Sequence, residues 1–377
     1  MKLQSSARFD PGAAGESFFG RFEHRSAVFT LFPDGHAAAG LPPYIGRTSD
    51  LHRRLLRLLG ERQRNSKLLS LREITRLVEY QYVGSPFEAQ WLLYHLNRVY
   101  YPRHYRARLR LKSPALLKLN LSNRFPRCYP TRRIANDGSL YYGPFPSRPA
   151  AERFAAEFLD LFKVRRCVEE LEPDPAHPGC IYSQMRMCMA PCFKGCTDAE
   201  YQSEVKRLME FLASQGQSMA SSLEAERDRA SESLDFEGAA RLHRKIDKVH
   251  DVLRLKPEPV RSLPDLHAVV IVPGAEPQSV SFFLLRSGHL CGPASLALDE
   301  NVPSPLPLDE RLHLLFQTLL AGADGAAKAP LWEHLSLFSK WYYSSFRKGE
   351  IVMLPSSAEI PHARLIRLCR KVIANPA

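Results

Sequence analysis

Five cysteines crowd into thirty residues of this 377-residue chain, at Cys167, Cys180, Cys188, Cys192 and Cys196, and no other feature limits the fold as sharply. Thiols this dense imply a loop-rich segment organised around something they bind or bridge. No apolar run approaches the roughly 18 residues that span a bilayer. The first fifteen residues, MKLQSSARFDPGAAG, lack the apolar core of a secretory signal. The expected setting is therefore the cytoplasm, with no membrane contact, where such a cluster signals metal or redox chemistry more often than disulfides. The spacing is C-x12-C-x7-C-x3-C-x3-C, without the C-x2-C knuckle of a zinc ribbon. Iron–sulfur sites accept varied spacings, so iron–sulfur is expected, with zinc as the alternative. Arg165 and Arg166, next to Cys167, are expected to favour its thiolate. Cys128, Cys291 and Cys369 stand apart and read as core thiols.

Charge is distributed as unevenly as sulfur. The net charge is +12, yet residues 47–133 alone hold 20 basic and 5 acidic side chains, so the remainder is slightly acidic. A localised positive field suits a polyanion, which in a cytoplasm points to nucleic acid. Within that field the stretch YHLNRVYYPRHYRAR interleaves aromatic rings with arginines, a pattern that serves base stacking and phosphate binding. The competing reading places Trp91, Tyr94 and Tyr100 in the core.

Length allows two to four domains at roughly 100–200 residues each. The first twenty residues are Gly/Ala/Ser-rich and expected to be frayed. Residues 26–32 and 43–47 read as short strands, with a PDG turn at 33–35. Thr48, Ser49 and Asp50 offer caps for a helix on which Leu51, Leu55, Leu58 and Leu59 share a face, ending at Gly60. Segments 68–78 and 88–99 follow, the second stopped by Pro102. Strands are expected within 115–142, where Asn136-Asp137-Gly138 is a hairpin signal, and a helix at 149–163. Residues 199–255 read as an antiparallel helical hairpin. Asp235 caps its second helix, Leu234 staples to Ala239, and Ala239, Leu242, Ile246, Val249 and Leu253 form the seam. Such a hairpin needs a surface to cover its apolar stripe, on a partner or on its own chain. A Pro-rich linker at 257–264 leads to strands at 267–272 and 279–285 and helices at 308–321 and 331–345, with no obvious catalytic grouping.

The order YIGRTSDLHRRL, EAQWLLYHLNRVYYPRHY, YYGPF, the cysteine cluster and DFEGAARLHRKI resembles the bacterial UvrC excinuclease family over about residues 25–375. The resemblance implies an α+β multi-domain chain. A GIY-YIG-like domain with a small mixed sheet would span 20–112 and a β-hairpin and Cys-rich region 113–198. A UVR-like helical hairpin would span 199–255 and a small α/β unit 262–375. The resemblance ends before the ribonuclease-H-like nuclease and helix-hairpin-helix tail of the family, so a second incision is not expected.

Residue by residue, the resemblance implies a residual nuclease site. Tyr44 matches the tyrosine that assists in activating water, Arg47 replaces a lysine, and Arg54 matches the phosphate-binding arginine. Phe29 stands where the family has a tyrosine, and Leu93 stands at its metal-binding glutamate. A Mg²⁺ or Mn²⁺ site needs oxygen ligands, and Leu93 offers none. Glu88, five residues earlier on the same helix, lies about 140° around the axis, and Glu79 lies outside that helix. The resemblance further implies a [4Fe–4S] cluster on Cys167, Cys180, Cys188 and Cys192, with Cys196 extra. It also implies docking of Leu234, Phe236, Ala239, Ala240, Leu242 and Ile246 on the excinuclease component UvrB. The expected function is a double-stranded DNA-binding repair component, paired with UvrB, whose incision activity is lost or weakened. The alternatives are a working metal-dependent endonuclease with a remodelled site, making one incision 3′ to a lesion, and a non-catalytic regulator competing for UvrB.

Overall fold

The computed structural model describes residues 3–13, 15–34, 41–61, 71–298, 306–326, 329–355 and 360–374. Gly35 of the PDG turn and residues 68–70 of the 68–78 segment lie outside the described residues.

The N-terminal unit comprises β1 (Ser5–Arg8), α1 (Glu16–Phe19), β2 (Ala27–Pro33), β3 (Tyr44–Thr48), α2 (Leu51–Leu59), β4 (Thr75–Tyr82) and α3 (Pro86–Tyr100). Its strands lie in the order β1-β4-β2-β3, and every pair is antiparallel, so the sheet is not mixed as expected. The cause is the segment after α2: a single turn at Leu71–Ile74 runs into β4, which returns antiparallel beside β2. Nor are the described residues among the first twenty frayed. Strand β1 pairs with β4, and Phe9, Phe18 and Phe19 are buried, because these rings cover the sheet end that α2 leaves open.

Strand β2 is buried on both faces. Ala27, Phe29 and Leu31 meet Leu51, Leu55 and Leu59 of α2, while Val28 meets Leu92 and Leu96 of α3. Asp50 caps α2 by accepting from the Arg53 amide at 2.8 Å, and Ser85 caps α3 through the Glu88 amide at 3.1 Å.

The middle unit has β5 (Ala115–Leu119), β6 (Cys128–Thr131) and β7 (Leu140–Phe145), followed by α4 (Arg148–Leu159). Asn136-Asp137-Gly138 makes a turn with Gly138 at φ +69°, but β6 and β7 do not pair, because β5 lies between them. A turn dipeptide reports local conformation and not which strand lies alongside. The expected single hairpin at 199–255 is three helices: α5 (Asp198–Ala213), α6 (Gln217–Glu232) and α7 (Phe236–Arg254). Gln215 (φ +54°) and Gly216 (φ +89°) make the break before α6, and a Cβ on Gly216 would stand 2.7 Å from the Leu253 side chain. Helix α5 belongs to the middle core, where Tyr201, Val205, Leu208 and Phe211 meet Phe154, Phe158 and Phe162. Only α6 and α7 form the hairpin. The expected linker is also structural: β8 (Arg261–Ser262) pairs with β7, and Val260 and Leu263 are buried.

The C-terminal unit contains β9 (His267–Pro273), β10 (Ser279–Arg286), β11 (His289–Ala297), α8 (Leu308–Ala326), α9 (Leu331–Tyr342), β12 (Glu350–Leu354) and α10 (His362–Ala374). Its sheet, β11-β10-β9-β12, is antiparallel, so the unit is α+β and not α/β as expected. Tight turns join β9 to β10 and β10 to β11, and the helical connection after β11 returns β12 antiparallel to β9. Helices α8 and α10 cover one face and α9 the other, where Phe87, Trp91 and Tyr94 of α3 join the same core. Helix α3 is thus wrapped between the N-terminal sheet and the C-terminal unit. Among the described residues, no helix is long and apolar enough to cross a membrane.

Candidate functional site

Pairing of β2 with β3 sets Phe29 opposite Gly46, Leu31 opposite Tyr44 and Val28 opposite Arg47. Gly46 is required there, since a Cβ would stand 2.7 Å from the Phe29 ring. The Phe29 and Tyr44 rings lie 6.0 Å apart, and Arg54, one turn into α2, donates from Nη2 to the Tyr44 hydroxyl at 3.1 Å. Phe29 is fully buried and carries no hydroxyl into this group. Phe29, Tyr44 and Arg54 therefore cluster on the α2 side of the sheet.

The alternation of β3 sends Arg47 to the other side, toward α3. There Arg47 and Leu93 line a cleft of about 380 Å³ between the N-terminal and C-terminal units. Its other cations are Arg108, Arg110, Lys340, Arg347 and Lys348, and among the described residues no carboxylate lines it. Leu93 packs against the apolar cluster of Val28, Leu92 and Leu96. The two carboxylates that might replace the missing one point away. Glu88 is buried, accepts from the Gly84 amide at 3.1 Å, and has its pKa pushed up to about 7 by desolvation. Glu79 is buried on β4, opposite Thr30 and within 3.4 Å of the Leu3 amide. An arrangement like this can hold phosphates, but among the described residues that line it there is no carboxylate near Leu93 for a divalent ion.

The stretch 91–110 divides into buried rings and exposed arginines. Trp91, Tyr94 and Tyr105 are buried, so they offer no stacking faces, whereas Arg103, Arg106, Arg108 and Arg110 remain outside. The sequence reading missed the cationic side supplied by Lys340, Arg347 and Lys348. Its signal was SSFRKGE at 344–350, a short repeat of the aromatic-and-basic pattern.

A compact trio lies at the start of α2. His24 Nδ1 is 2.8 Å from Asp50 Oδ2, and the His24 and His52 rings are 4.4 Å apart. Asp50 is held low in pKa by His24 and by the Arg53 amide it caps. That helix N-terminus opposes a cation, so the trio serves as a brace for the cap.

The cysteine segment is tied to the middle unit by the bond from the Met189 amide to the Lys163 carbonyl (3.0 Å) and closed on itself by that from the Asp174 amide to the Cys192 carbonyl (2.9 Å). Ala190 (φ +57°) and Lys194 (φ +59°) flank Cys192 in left-handed conformations that L-residues seldom adopt. The Cys188 thiol lies within electrostatic reach of Cys167, Cys180 and Cys192, and Cys196 within reach of Cys192. Among the described residues these thiols form no group as compact as a single ion requires. Arg165 Nη1 stands 3.8 Å from Cys167 Sγ, but Arg166 pairs with Asp160 at 2.8 Å. The expectation of a favoured Cys167 thiolate is corrected: burial raises its pKa more than Arg165 lowers it, and Cys188 is pushed up to about 11. Cys128 and Cys369 are core thiols, while Cys291 is half-buried and donates to the Leu319 carbonyl.

The hairpin has two ends of different character. At its root, Ala220, Val249 and Val252 enter the middle core. At its tip, Leu234 is 72% exposed and Phe236 67% exposed, while on the first turn of α7 Ala239 is half-buried and Ala240 is exposed. Leu242 is half-open to solvent and Ile246 is buried along the seam. The apolar stripe is thus covered by its own chain at the root and left open at the tip.

Residues 115–211 match the UvrC/Cho excinuclease middle domain, and residues 217–251 match the UvrB/uvrC motif. The two matches fall on either side of the Gly216 break. Similar proteins include the UvrABC system protein C of Carboxydothermus hydrogenoformans, 30% identical over 84% of this chain and 52% of that protein. That of Ruminiclostridium cellulolyticum is 27% identical over 84% of this chain and 48% of its own length. The chain spans about half the length of these curated relatives. No solved structure matches it.

Proposed function

We infer the function of this chain from its family: it belongs to the UvrC family, with the middle domain at 115–211 and the UvrB/uvrC motif at 217–251. It acts in nucleotide excision repair in the cytoplasm as a component that binds double-stranded DNA and docks on UvrB through the tip of its hairpin. The GIY-YIG incision step is lost or severely weakened. The observation that carries this reading is the cleft beside Leu93, which among the described residues keeps Arg47 with five other cations and has no carboxylate in its lining. Such a site retains charge-assisted phosphate contacts. It lacks, among the described residues, the carboxylate ligand for an ion that would neutralise charge on the phosphoryl oxygens, a term of several kcal/mol in hydrolysis.

Cys167, Cys180, Cys188 and Cys192 would hold a [4Fe–4S] cluster, which supplies a cross-link among loop segments that have little core of their own. Two features support it: the thiols gather without the compactness a single ion needs, and a cubane spreads its thiolates around a larger body. Burial keeps the Cys167 and Cys188 thiols neutral, so cluster assembly is what would deprotonate them.

The test is nicking of a lesion-containing duplex with Mg²⁺ or Mn²⁺, with and without UvrA and UvrB. The wild-type chain should bind without nicking. Leu93→Glu, alone or with Phe29→Tyr, should restore metal-dependent nicking. Nicking by the wild type that requires both metal and Arg54 would instead establish the remodelled-endonuclease reading. Binding should weaken with salt, and Arg47→Ala should reduce the slope of log K against log salt by about 0.9.

A further inference from the structure

Phe346 is 89% exposed, the most exposed large apolar side chain among the described residues. Single apolar residues on a surface are ordinary, but this one stands on an anchored loop inside the cationic cleft. Between α9 and β12, the Trp341 indole donates to the Lys348 carbonyl at 3.0 Å, and the Tyr343 hydroxyl donates to the Pro144 carbonyl at 2.7 Å. The Phe346 amide donates to Ser344 Oγ at 3.3 Å. At the loop's exit Gly349 has φ +104°, and a Cβ there would collide with the Ile271 carbonyl oxygen. The loop is therefore fixed while its phenyl ring is left open to solvent. Arg347 beside it lies over the Tyr342 ring, 4.8 Å from the centroid. Arg47, Arg108 and Arg110, the last at φ +51°, line the same cleft from the N-terminal side.

An open aromatic face on a fixed loop among cations, with no carboxylate in the lining among the described residues, matches a strand whose bases are unstacked. A fully paired duplex offers its phosphates to such a cleft but hides the faces of its bases. We propose that this cleft takes an unpaired base of a DNA strand on Phe346, with flanking phosphates on Arg47, Arg110 and Lys340. The proposal rests on the DNA-binding reading above and adds a preference to it: locally opened DNA over paired DNA.

The test compares two labelled duplexes at fixed salt, one fully paired and one with an internal unpaired stretch, binding to the full chain. Phe346→Ala should weaken binding of the opened duplex about tenfold and leave the paired duplex unchanged, the size expected for one lost stacking contact. Phe346→Trp should retain binding, with its fluorescence quenched by the opened duplex only. Unchanged binding of the opened duplex by Phe346→Ala, or equal loss on both, would overturn the proposal and leave the DNA-binding reading standing. Equal Phe346-dependent binding of an unpaired RNA strand would overturn the assignment to DNA. Wild-type protein that binds neither duplex would remove both readings together.

Discussion

Glu88 and Leu93 sit on one helix and illustrate how position decides what a side chain can do. Glu88 closes the first turn of α3, buried against it, with its carboxylate on the Gly84 amide. Burial lifts its pKa from 4.5 to about 7. A carboxyl group with a raised folded-state pKa favours the fold in its neutral form. Its contribution is complete below the unfolded value of 4.5 and is lost as pH rises through about 7. Glu88→Gln keeps an acceptor for Gly84 and cannot ionise. Thermal melts should show the variant equal to wild type near pH 4.5 and more stable by up to about 3 kcal/mol above pH 7. Parallel melting curves across that range would mean that Glu88 is solvated. Leu93 was legible from the resemblance, which sets it at the metal-binding glutamate of the family. That no other carboxylate compensates was not legible, since it depends on where Glu79 is carried by β4.

At the scale of elements, the two-ended hairpin separates docking from folding. Phe236 contributes little to the chain's own packing, whereas Ile246 is buried between α6 and α7. Phe236→Asp should abolish co-purification with UvrB while leaving the melting temperature within about a degree, as for a surface change. Ile246→Asp buries a charge and should cost several kcal/mol, unfolding the hairpin first. Loss of partner binding in the second variant alone would move the docking surface away from the tip. The periodicity of Ala239, Leu242, Ile246 and Val249 made the α7 seam readable. The break at Gly216 was missed because residues 199–213 carry equally good helix formers, and only tertiary packing assigns them to the middle core. The same limit applies to β6 and β7: the Asn-Asp-Gly turn is local, while insertion of β5 between them is a long-range choice. Strands β11 and β12 and helix α10 also went unread, since Gly292-Pro293 interrupts the β11 pattern and β12 has five residues.

Across the whole molecule, the cleft exists only while the N-terminal and C-terminal units stay joined, and their joint sets buried polar groups within a shared apolar core. Glu333 of α9 is 0% exposed and accepts from the Tyr94 and Tyr105 hydroxyls and from Arg106 Nε, each at 2.7 Å. Beside it, His334 Nδ1 accepts from the Leu290 amide at 3.1 Å, while its Nε2 has no hydrogen-bond partner among the described residues. Burial lowers the pKa of His334 to about 3 and of His95, on α3, to about 4, with Arg98 adding to the effect on both and the neighbouring imidazoles on His334. For a histidine with a depressed folded-state pKa, the contribution to stability is complete above 6.5 and is lost as pH falls toward 4. Together the two imidazoles would withdraw on the order of 5 kcal/mol over that window. Acid also raises the positive charge of the surface, which strengthens phosphate binding. On opened DNA the two effects oppose each other, because opening the joint removes the Phe346 contact; on paired DNA the cations of each unit still offer phosphate contacts after the cleft has opened. Between pH 7.5 and 5, affinity for a paired duplex should hold or rise while the preference for an opened duplex disappears. His95→Leu, with one titrating group fewer, should keep that preference to a lower pH. A preference that disappears at the same pH in both proteins would show that the joint does not control the cleft.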